Sequence, residues 1–207
     1  MMDIISLYTD LVDSLILAAR KMYSFRYEMS DGGNLSMRVP GKDWMIVKGT
    51  NVAFDELDIS SLVVTDFEGN VIDGNCKPSK ESLLHGALYN ALPQVNAIMH
   101  CHSPYATAWA AAHDSLEFST HHAREKLSYC PVVDTHSYVV PKEYFTTIVD
   151  LFHENEKMKS FILRGHGQVT VGKTMRDAVY LAELVEETAQ ISVLSQAMKC
   201  QEEKASY

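Results

Sequence analysis

The stretch Ala97-Ile98-Met99-His100-Cys101-His102 is an apolar run that ends in two histidines flanking a cysteine. The run predicts a buried strand, in which residues two apart point to the same face of a sheet. His100 and His102 are therefore expected to share one face, with Cys101 packed on the other. Two imidazoles with this spacing can hold one divalent cation, and two buried histidines satisfied by backbone partners would give the same pattern.

Helical periodicity predicts helices on both sides of this strand. Apolar residues at helical spacing run from Met2 to about Glu28, where the turn-rich segment Ser30-Asp31-Gly32-Gly33 follows. A second helix is predicted to begin at Ser79, as its N-cap, and to end at Pro93. Further helices are predicted over residues 105–112, 141–153 and about 174–199.

Short strands bounded by turns account for most of the remaining chain. Asp66-Phe67-Glu68-Gly69 is typical of a hairpin turn, and Thr174-x-x-Asp177 is a capping signal for the last helix. Strands are predicted over residues 34–39, 44–47, 62–65, 70–72, 96–102, 161–163 and 169–171. Residues 1–207 are expected to form one α+β or α/β domain, with 201–207 as a flexible tail.

Composition narrows the class of protein. The chain is 46% hydrophobic and 22% charged, as in an ordinary globular domain. Lys and Arg total 18 against 27 Asp and Glu, which gives a net charge of −9 and disfavours binding to nucleic acid or to an anionic membrane surface. A phosphorylated substrate stays possible, because a metal ion and helix N-termini can form a local anion site.

The cysteines and the N-terminus predict a cytoplasmic protein. Cys76, Cys101, Cys130 and Cys200 form no Cys-x-x-Cys pair, which favours reduced thiols. The N-terminal segment lacks the basic and apolar regions of a signal peptide, and no apolar stretch is long enough to span a membrane.

A third histidine completes a candidate metal site. His166 lies between two glycines directly after a predicted strand. With His100 and His102 it provides three histidines, the number typical of catalytic zinc with one open position. Zinc suits these nitrogen ligands best, and the residue types alone leave manganese, iron and cobalt open.

Glu81 is the candidate acid/base. It lies at a predicted helix start, nineteen residues before His100, which allows one helix and a short return to the strand. A nearby dication keeps a carboxylate ionised, whereas a partly dry site raises its pKa, so the two effects together can prepare it for proton exchange. From the residues alone, the acid/base role and simple compensation of the helix dipole by Glu81 have equal weight.

Three small polar loops could bind a phosphate. They are Gly33-Asn34, Gly49-Thr50-Asn51 and Pro78-Ser79-Lys80, the last of which opens a predicted helix. Backbone N–H groups, hydroxyls and a helix N-terminus are sufficient to hold an anion. Taken singly, each of these loops is also a common type of surface turn.

Four motifs together resemble the class II aldolase/adducin family. In chain order they are Gly33-Asn34-Leu35-Ser36, Pro78-Ser79-x-Glu81-x-x-x-His85, His100-Cys101-His102 and Gly165-His166-Gly167. The resemblance covers about residues 8–195. It implies a three-layer α/β/α sandwich with a central mixed, largely antiparallel sheet. It also implies a homotetramer with active sites at the subunit interfaces.

The resemblance also assigns roles to residues. It implies one Zn²⁺ per subunit, held by His100, His102 and His166, and it matches Glu81 to the catalytic glutamate of the aldolases. Asn34, Thr50 and Ser79 match positions that bind the substrate phosphate, and we include Gly49 and Lys80 in that predicted site. His85 matches a family position and is interpreted as structural.

The implied reaction is a retro-aldol cleavage of a carbon–carbon bond in a small phosphorylated ketose. In this hypothesis zinc stabilises the enediolate and Glu81 transfers the proton. Lys80 stands where fuculose-type aldolases have a second serine, and it resembles the sugar-acid phosphate decarboxylases, so a 3-oxo-tetronate phosphate decarboxylase is the close alternative. A sugar-phosphate 4-epimerase is less favoured, because the similar epimerases have aspartate in place of Glu81. A non-catalytic adducin-like binding module is the alternative from another class.

One expected group has no clear match. The aldolases use a tyrosine from a neighbouring subunit as a second acid/base, and in the unassigned region 115–140 His121, His122 and Tyr129 offer no clear match.

Overall fold

The computed structural model describes residues 4–205, with side chains described as far as residue 201. Two short 3-10 turns, Ile4–Tyr8 and Ile59–Ser61, accompany six helices and eight strands. The helices are α1 Thr9–Ser24, α2 Ser82–Ala91, α3 Pro104–Ala110, α4 His121–Leu127, α5 Glu143–Glu154 and α6 Met175–Ala205. The strands are β1 Asn34–Arg38, β2 Trp44–Lys48, β3 Leu62–Asp66, β4 Val71–Asp73, β5 Ala97–Cys101, β6 Val132–Val133, β7 Ser160–Leu163 and β8 Gly167–Gly172.

All eight strands form one sheet in the order β4-β3-β2-β1-β5-β8-β7-β6. Neighbouring strands are antiparallel except for β6 and β7, which are parallel. The predicted central sheet, mixed and largely antiparallel, is therefore confirmed. The strand that carries His100 lies near the middle of the sheet, between β1 and β8.

Helices cover both faces of the sheet. In β5, alternate side chains pack against the helices on opposite faces. Ala97, Met99 and Cys101 pack with the apolar face of α1 and with the start of α6. Ile98 packs on the opposite face with residues of α2 and α5. This alternation follows from the two-residue period of a strand. It confirms the three-layer sandwich and the packing of Cys101 away from the Ile98 face.

The first helix is shorter than the predicted 2–28. After the 3-10 turn, α1 ends at Ser24, and Arg26 then adopts a left-handed backbone conformation with φ of 59°. A helix cannot continue through that conformation, because its residues need negative φ. Glu28 consequently lies in a loop instead of a helix. Residues 2–3 of the predicted helix lie outside the described residues.

The predicted N-cap at Ser79 is wrong. Helix α2 begins at Ser82, and its N-cap position is Glu81, whose side chain makes no capping hydrogen bond. The Ser79 backbone N–H donates to the carbonyl of Lys48 at 3.0 Å, and Pro78 forms an isolated bridge with Gly49. These long-range contacts hold Ser79 against β2, one turn before the helix.

The capping signal at the start of α6 is confirmed. The Asp177 N–H donates to the Thr174 hydroxyl at 3.1 Å, and the Thr174 N–H donates to the Asp177 carboxylate at 3.2 Å. Helix α6 continues through Ala205, beyond the predicted end, so the predicted tail is helical as far as that residue. Residues 206–207 lie outside the described part of the chain.

The region 115–140, which the sequence left unassigned, contains α4 and β6. Thr120 caps α4, its hydroxyl accepting the N–H of Ala123 at 3.1 Å. Between residues 4 and 205, no helix combines the length and the apolar character needed to cross a bilayer.

A glycine in α2 sets how closely that helix approaches the sheet. A Cβ atom at Gly86 would lie 1.9 Å from the backbone oxygen of Phe67. Alanine is the better helix former by about 1 kcal/mol, but backbone cannot move aside as a side chain can. Helix α2 is therefore positioned by a contact that requires glycine.

We expect Gly86→Ala to lower the free energy of unfolding by at least about 2 kcal/mol, although helix propensity alone predicts a gain. Urea denaturation measures the change. Asn90→Ala, at an exposed position of the same helix, is the control and should shift stability by less than about 0.5 kcal/mol. Equal or higher stability of Gly86→Ala would show that α2 is not held by this contact.

Candidate metal centre

The central sheet brings three histidines together at one edge. His100 lies in β5 opposite Asn34 of β1, and His102 follows one residue after the strand ends. His166 lies in the tight turn between β7 and β8, where its N–H donates to the carbonyl of Leu163 at 3.1 Å. Because β8 pairs with β5, this turn lies beside the end of β5.

The turn approaches β5 closely because it contains glycine. A Cβ atom at Gly167 would lie 2.4 Å from the Cys101 carbonyl oxygen and 2.9 Å from the His102 ring. The glycine that follows His166 is therefore required for close contact between two backbones.

The three imidazoles point their Nε2 atoms at a common space. His100 Nε2 lies 3.1 Å from His102 Nε2 and 3.3 Å from His166 Nε2. One possible ligand atom from each histidine can be chosen so that all three lie within 4.8 Å of one another. The sequence prediction that these residues come together is confirmed.

The neighbours of Nδ1 in His100 and His102 indicate that the three histidines could bind a cation through Nε2. His100 Nδ1 lies 2.9 Å from the Gln168 carbonyl oxygen, and His102 Nδ1 lies 3.4 Å from a Glu28 carboxylate oxygen. Both neighbours only accept hydrogen bonds, so in the neutral rings Nδ1 carries the hydrogen and Nε2 a lone pair. Facing lone pairs repel each other unless a positive charge lies between them. Three neutral imidazoles are also the ligand set of catalytic zinc sites.

Burial keeps the rings of His100 and His166 neutral. It lowers the pKa of His100 to about 3, helped by the neighbouring His102. It lowers the pKa of His166 to about 4, where His100 acts in the same direction and Glu81 in the opposite one. Neutral imidazole is the form that binds a metal, so both rings are ready as ligands at neutral pH.

Glu81 lies against the histidine cluster instead of pointing along its helix. Its Oε2 accepts a hydrogen bond from the Asn34 side chain at 2.8 Å and lies 3.3 Å from His100 Nε2. Its Oε1 lies 3.9 Å from His166 Nδ1. Burial raises the pKa of this carboxyl, while His166 and the Asn34 hydrogen bond oppose that rise. Contact with the cluster supports the acid/base interpretation over simple dipole compensation.

A polar pocket opens beside the cluster, and it collects most of the predicted anion-binding residues. Its walls include Glu81, His102 and His166 from the cluster. They also include Asn34, Thr50, Ser79 and Lys80 from the three polar loops.

Gly49 is placed differently. It is not among the residues that line the pocket, and its backbone N–H is already bonded to the Ser61 carbonyl at 2.8 Å. A Cβ atom there would lie 2.7 Å from the Cys76 sulfur, so Gly49 allows close packing behind the pocket.

Lys48 and Tyr138 are among the pocket-lining residues that the sequence did not predict. Lys48 is only 1% exposed, and its ammonium donates to the carbonyls of Asp31 and Val52. Burial lowers the pKa of Lys48. A lysine ending the apolar strand Trp44–Lys48 was an available signal. Tyr138, whose ring centre lies 5.3 Å from that of His166, falls in the region left unassigned.

The structural interpretation of His85 fits the geometry. The ring is buried, and its Nδ1 lies 2.8 Å from the Ser36 hydroxyl, which also contacts the Tyr89 hydroxyl at 2.8 Å. Burial lowers the pKa of His85 to about 3. The three side chains tie α2 to β1 beneath the metal ligands.

Comparison with known proteins gives a consistent family. The sequence profile of the Class II Aldolase and Adducin N-terminal domain matches residues 13–193. The L-fuculose phosphate aldolase of Methanococcus maripaludis strain C7 is 31% identical over 181 residues, 86% of this chain and 93% of that protein. The 3-oxo-tetronate 4-phosphate decarboxylase of Haemophilus influenzae is 30% identical over 198 residues, 92% of this chain and 91% of that protein.

Two further comparisons extend this result. An L-ribulose-5-phosphate 4-epimerase of Salmonella paratyphi B is 29% identical over 174 residues, 80% of this chain and 76% of the epimerase. The solved structure of an L-fuculose 1-phosphate aldolase superposes with a TM-score of 0.82 at 26% identity, covering 91% of this chain and 87% of that one.

We expect His100→Ala to weaken binding of a divalent cation by more than about 100-fold. Such a loss would exceed the roughly 10–100-fold that is typical when a residue supporting a metal-binding side chain is removed. Equilibrium dialysis followed by metal analysis measures the affinity. His153→Ala, at an exposed position on α5, is the matched control and should bind as the parent does. Parental affinity in His100→Ala would exclude the histidine cluster as the metal site.

Proposed function

The chain belongs to the Class II Aldolase and Adducin family and is an enzyme, and we propose that it is a zinc-dependent lyase. It cleaves a carbon–carbon bond of a small phosphorylated ketose by retro-aldol chemistry similar to that of L-fuculose phosphate aldolase. The observation that carries this proposal is the Glu81 carboxylate, which lines the polar pocket and lies 3.3 Å from His100 Nε2. A non-catalytic, adducin-like binding role does not apply, because the chain is an enzyme.

His100, His102 and His166 would hold the cation, and enzymes of this family use a divalent one. A bound cation supplies Lewis-acid stabilisation of the negative charge that develops on the substrate oxygens during cleavage. Three neutral nitrogen ligands favour zinc among the divalent metals. The protein's own contribution is to fix two of these rings at Nδ1, by the Gln168 carbonyl beside His100 and by the Glu28 carboxylate beside His102.

Glu81 moves the proton at the reacting carbon. It protonates the carbon that loses its partner in cleavage and removes that proton in the reverse direction. Burial raises the pKa of this carboxyl, which favours its protonated form relative to an exposed glutamate. Asn34 holds the carboxylate by one oxygen, which leaves Oε1 without a hydrogen-bond partner among the described residues. That free oxygen is available to the substrate.

The polar loops would bind the substrate phosphate. Thr50 and Ser79 offer hydroxyls at the pocket wall, and Lys80 adds an exposed ammonium group. Asn34 contributes a buried side chain that links this wall to Glu81. A phosphate bound there would hold the ketose with its carbonyl end toward the histidines.

Two further properties are part of the proposal. The protein is a homotetramer with its active sites at subunit interfaces, which would allow a neighbouring subunit to supply the second acid/base. It works in the cytoplasm on a small phosphorylated sugar, without nucleic acid or membrane partners.

Glu81→Gln is expected to lower kcat by about 10²–10⁴-fold, because the amide cannot exchange a proton at the substrate carbon. Zinc content and substrate affinity should change little, since the side chain keeps its size. The assay uses zinc-loaded protein with L-fuculose 1-phosphate, L-rhamnulose 1-phosphate and L-ribulose 5-phosphate. Parental turnover in Glu81→Gln would refute the proton-transfer role.

A second candidate function is decarboxylation of a 3-oxo-tetronate phosphate. The observation that favours it is Lys80, a cation at the pocket wall beside Ser79 and Glu81. A lysine there can pair with a substrate carboxylate as well as with a phosphate. Epimerisation is less favoured, because Glu81 stands where the epimerases that the sequence resembles have aspartate.

Lys80→Ser separates the two functions. Losing a hydrogen bond to a charged group costs about 1.5–3 kcal/mol, so a carboxylate substrate should show a KM about 10–100-fold higher. A ketose phosphate bound by Thr50 and Ser79 should be affected less, by about 10-fold at most. Carbon dioxide release from 3-oxo-tetronate 4-phosphate is measured beside aldehyde release from the ketose phosphates. The substrate with the higher kcat/KM in the parent identifies the reaction.

A further inference from the structure

We propose that Glu28 is a positioning residue of the metal centre, which holds His102 by its backbone N–H and by its imidazole. This inference rests on the metal site of the proposed function. Glu28 belongs to none of the motifs that identified the site, and it lies in the loop that follows α1.

The Glu28 carboxylate makes two contacts with His102. Its Oε2 accepts the His102 backbone N–H at 2.8 Å, and its Oε1 lies 3.4 Å from His102 Nδ1. Oε1 also accepts the backbone N–H of Met29 at 3.1 Å. The side chain is only 1% exposed, so these contacts are shielded from water.

His102 depends on such a contact more than His100 does. His100 is 1% exposed, is paired on both sides within β5, and has Nδ1 beside the Gln168 carbonyl. His102 follows the last ladder pair of β5, Cys101 with Gln168, and its side chain is 26% exposed. Glu28 therefore provides for His102 both the backbone partner and the ring partner that the sheet provides for His100.

The two glycines before Asn34 leave room for this carboxylate. A Cβ atom at Gly32 would lie 2.6 Å from Glu28 Oε1 and 2.7 Å from His102 Nδ1. A Cβ atom at Gly33 would lie 2.4 Å from Glu28 Oε2. The backbone of residues 32–33 thus passes directly over the contact between the carboxylate and the imidazole. The Gly-Gly pair serves the metal centre as well as the turn.

Only a carboxylate satisfies these partners. The two backbone N–H groups and the Nδ1–H form of His102 are all donors, and together they need acceptors on both branches of the side chain. A glutamine places its NH₂ group opposite a donor in either orientation. It either abandons the backbone N–H or donates to Nδ1, which would move the ring hydrogen to Nε2 and remove the lone pair that binds metal.

The test is Glu28→Gln in the full chain, with Glu186→Gln as the matched control. Glu186 is also buried, and it accepts the backbone N–H groups of Tyr105 and Ala106 at 2.9 and 2.8 Å without contacting a metal ligand. Glutamine there loses an equivalent acceptor, so a purely structural effect would be the same in both variants.

Two quantities are measured on metal-free protein. Zinc affinity is obtained by competition with a chromophoric chelator, and the His102 ring form by nitrogen-15 NMR of the imidazole. Glu28→Gln should bind zinc about 10–100-fold more weakly, as expected when a partner of a metal ligand is lost. The His102 ring should also lose its uniform Nδ1–H form. Glu186→Gln should keep the parental zinc affinity and ring form.

Gly32→Ala is measured alongside, because its methyl group would crowd both Glu28 Oε1 and His102 Nδ1 and so disturb their contact without removing the carboxylate. It should weaken zinc binding in the same direction. Parental zinc affinity in Glu28→Gln and Gly32→Ala would overturn the inference, as would an equal loss in Glu186→Gln. A parent protein that binds no zinc would instead overturn the proposed function, so the two failures are distinguishable.

Discussion

The antiparallel pairing of β5 with β1 and β8 is the constraint on which the candidate metal centre depends. Pairing with β1 puts Asn34 directly opposite His100, and this asparagine in turn holds Glu81. Pairing with β8 fixes the turn that carries His166 beside the end of β5. A shift of this register by one residue would turn His100 toward the α1 face and separate it from Glu81. The chemistry of the site is therefore set by backbone hydrogen bonds.

The parts of the fold that follow from local pattern could be predicted from the sequence. The alternation of Ile98 and Met99 between two apolar faces fixes β5, and the Thr174–Asp177 pair fixes the start of α6. The proximity of His100 and His102 could also be predicted, because residues two apart along an extended segment share a face. What failed depended on distant partners. Ser79 is held by Lys48, which lies 31 positions earlier in the chain, so helix-start rules alone could not place it.

Buried charges were the features least accessible to sequence reasoning. Lys48 and Glu28 look like ordinary surface residues in the sequence, and each is 1% exposed in the fold. A buried charge is tolerated only where several partners compensate the loss of water. Lys48 finds two carbonyls, and Glu28 finds two backbone N–H groups and an imidazole. Those partners come from separate segments, and only the folded chain brings them together.

The charge of the site bears on how an acidic protein could take the proposed phosphorylated substrate. The chain carries a net charge of −9, and around the pocket the acidic groups Asp31, Glu81 and Glu28 outnumber the cations Lys48 and Lys80. Without a further positive charge, these groups would repel a phosphate. A divalent cation bound among the histidines would make the net charge around the pocket positive. The same ion that stabilises charge on the reacting oxygens would thus also admit the substrate to the pocket.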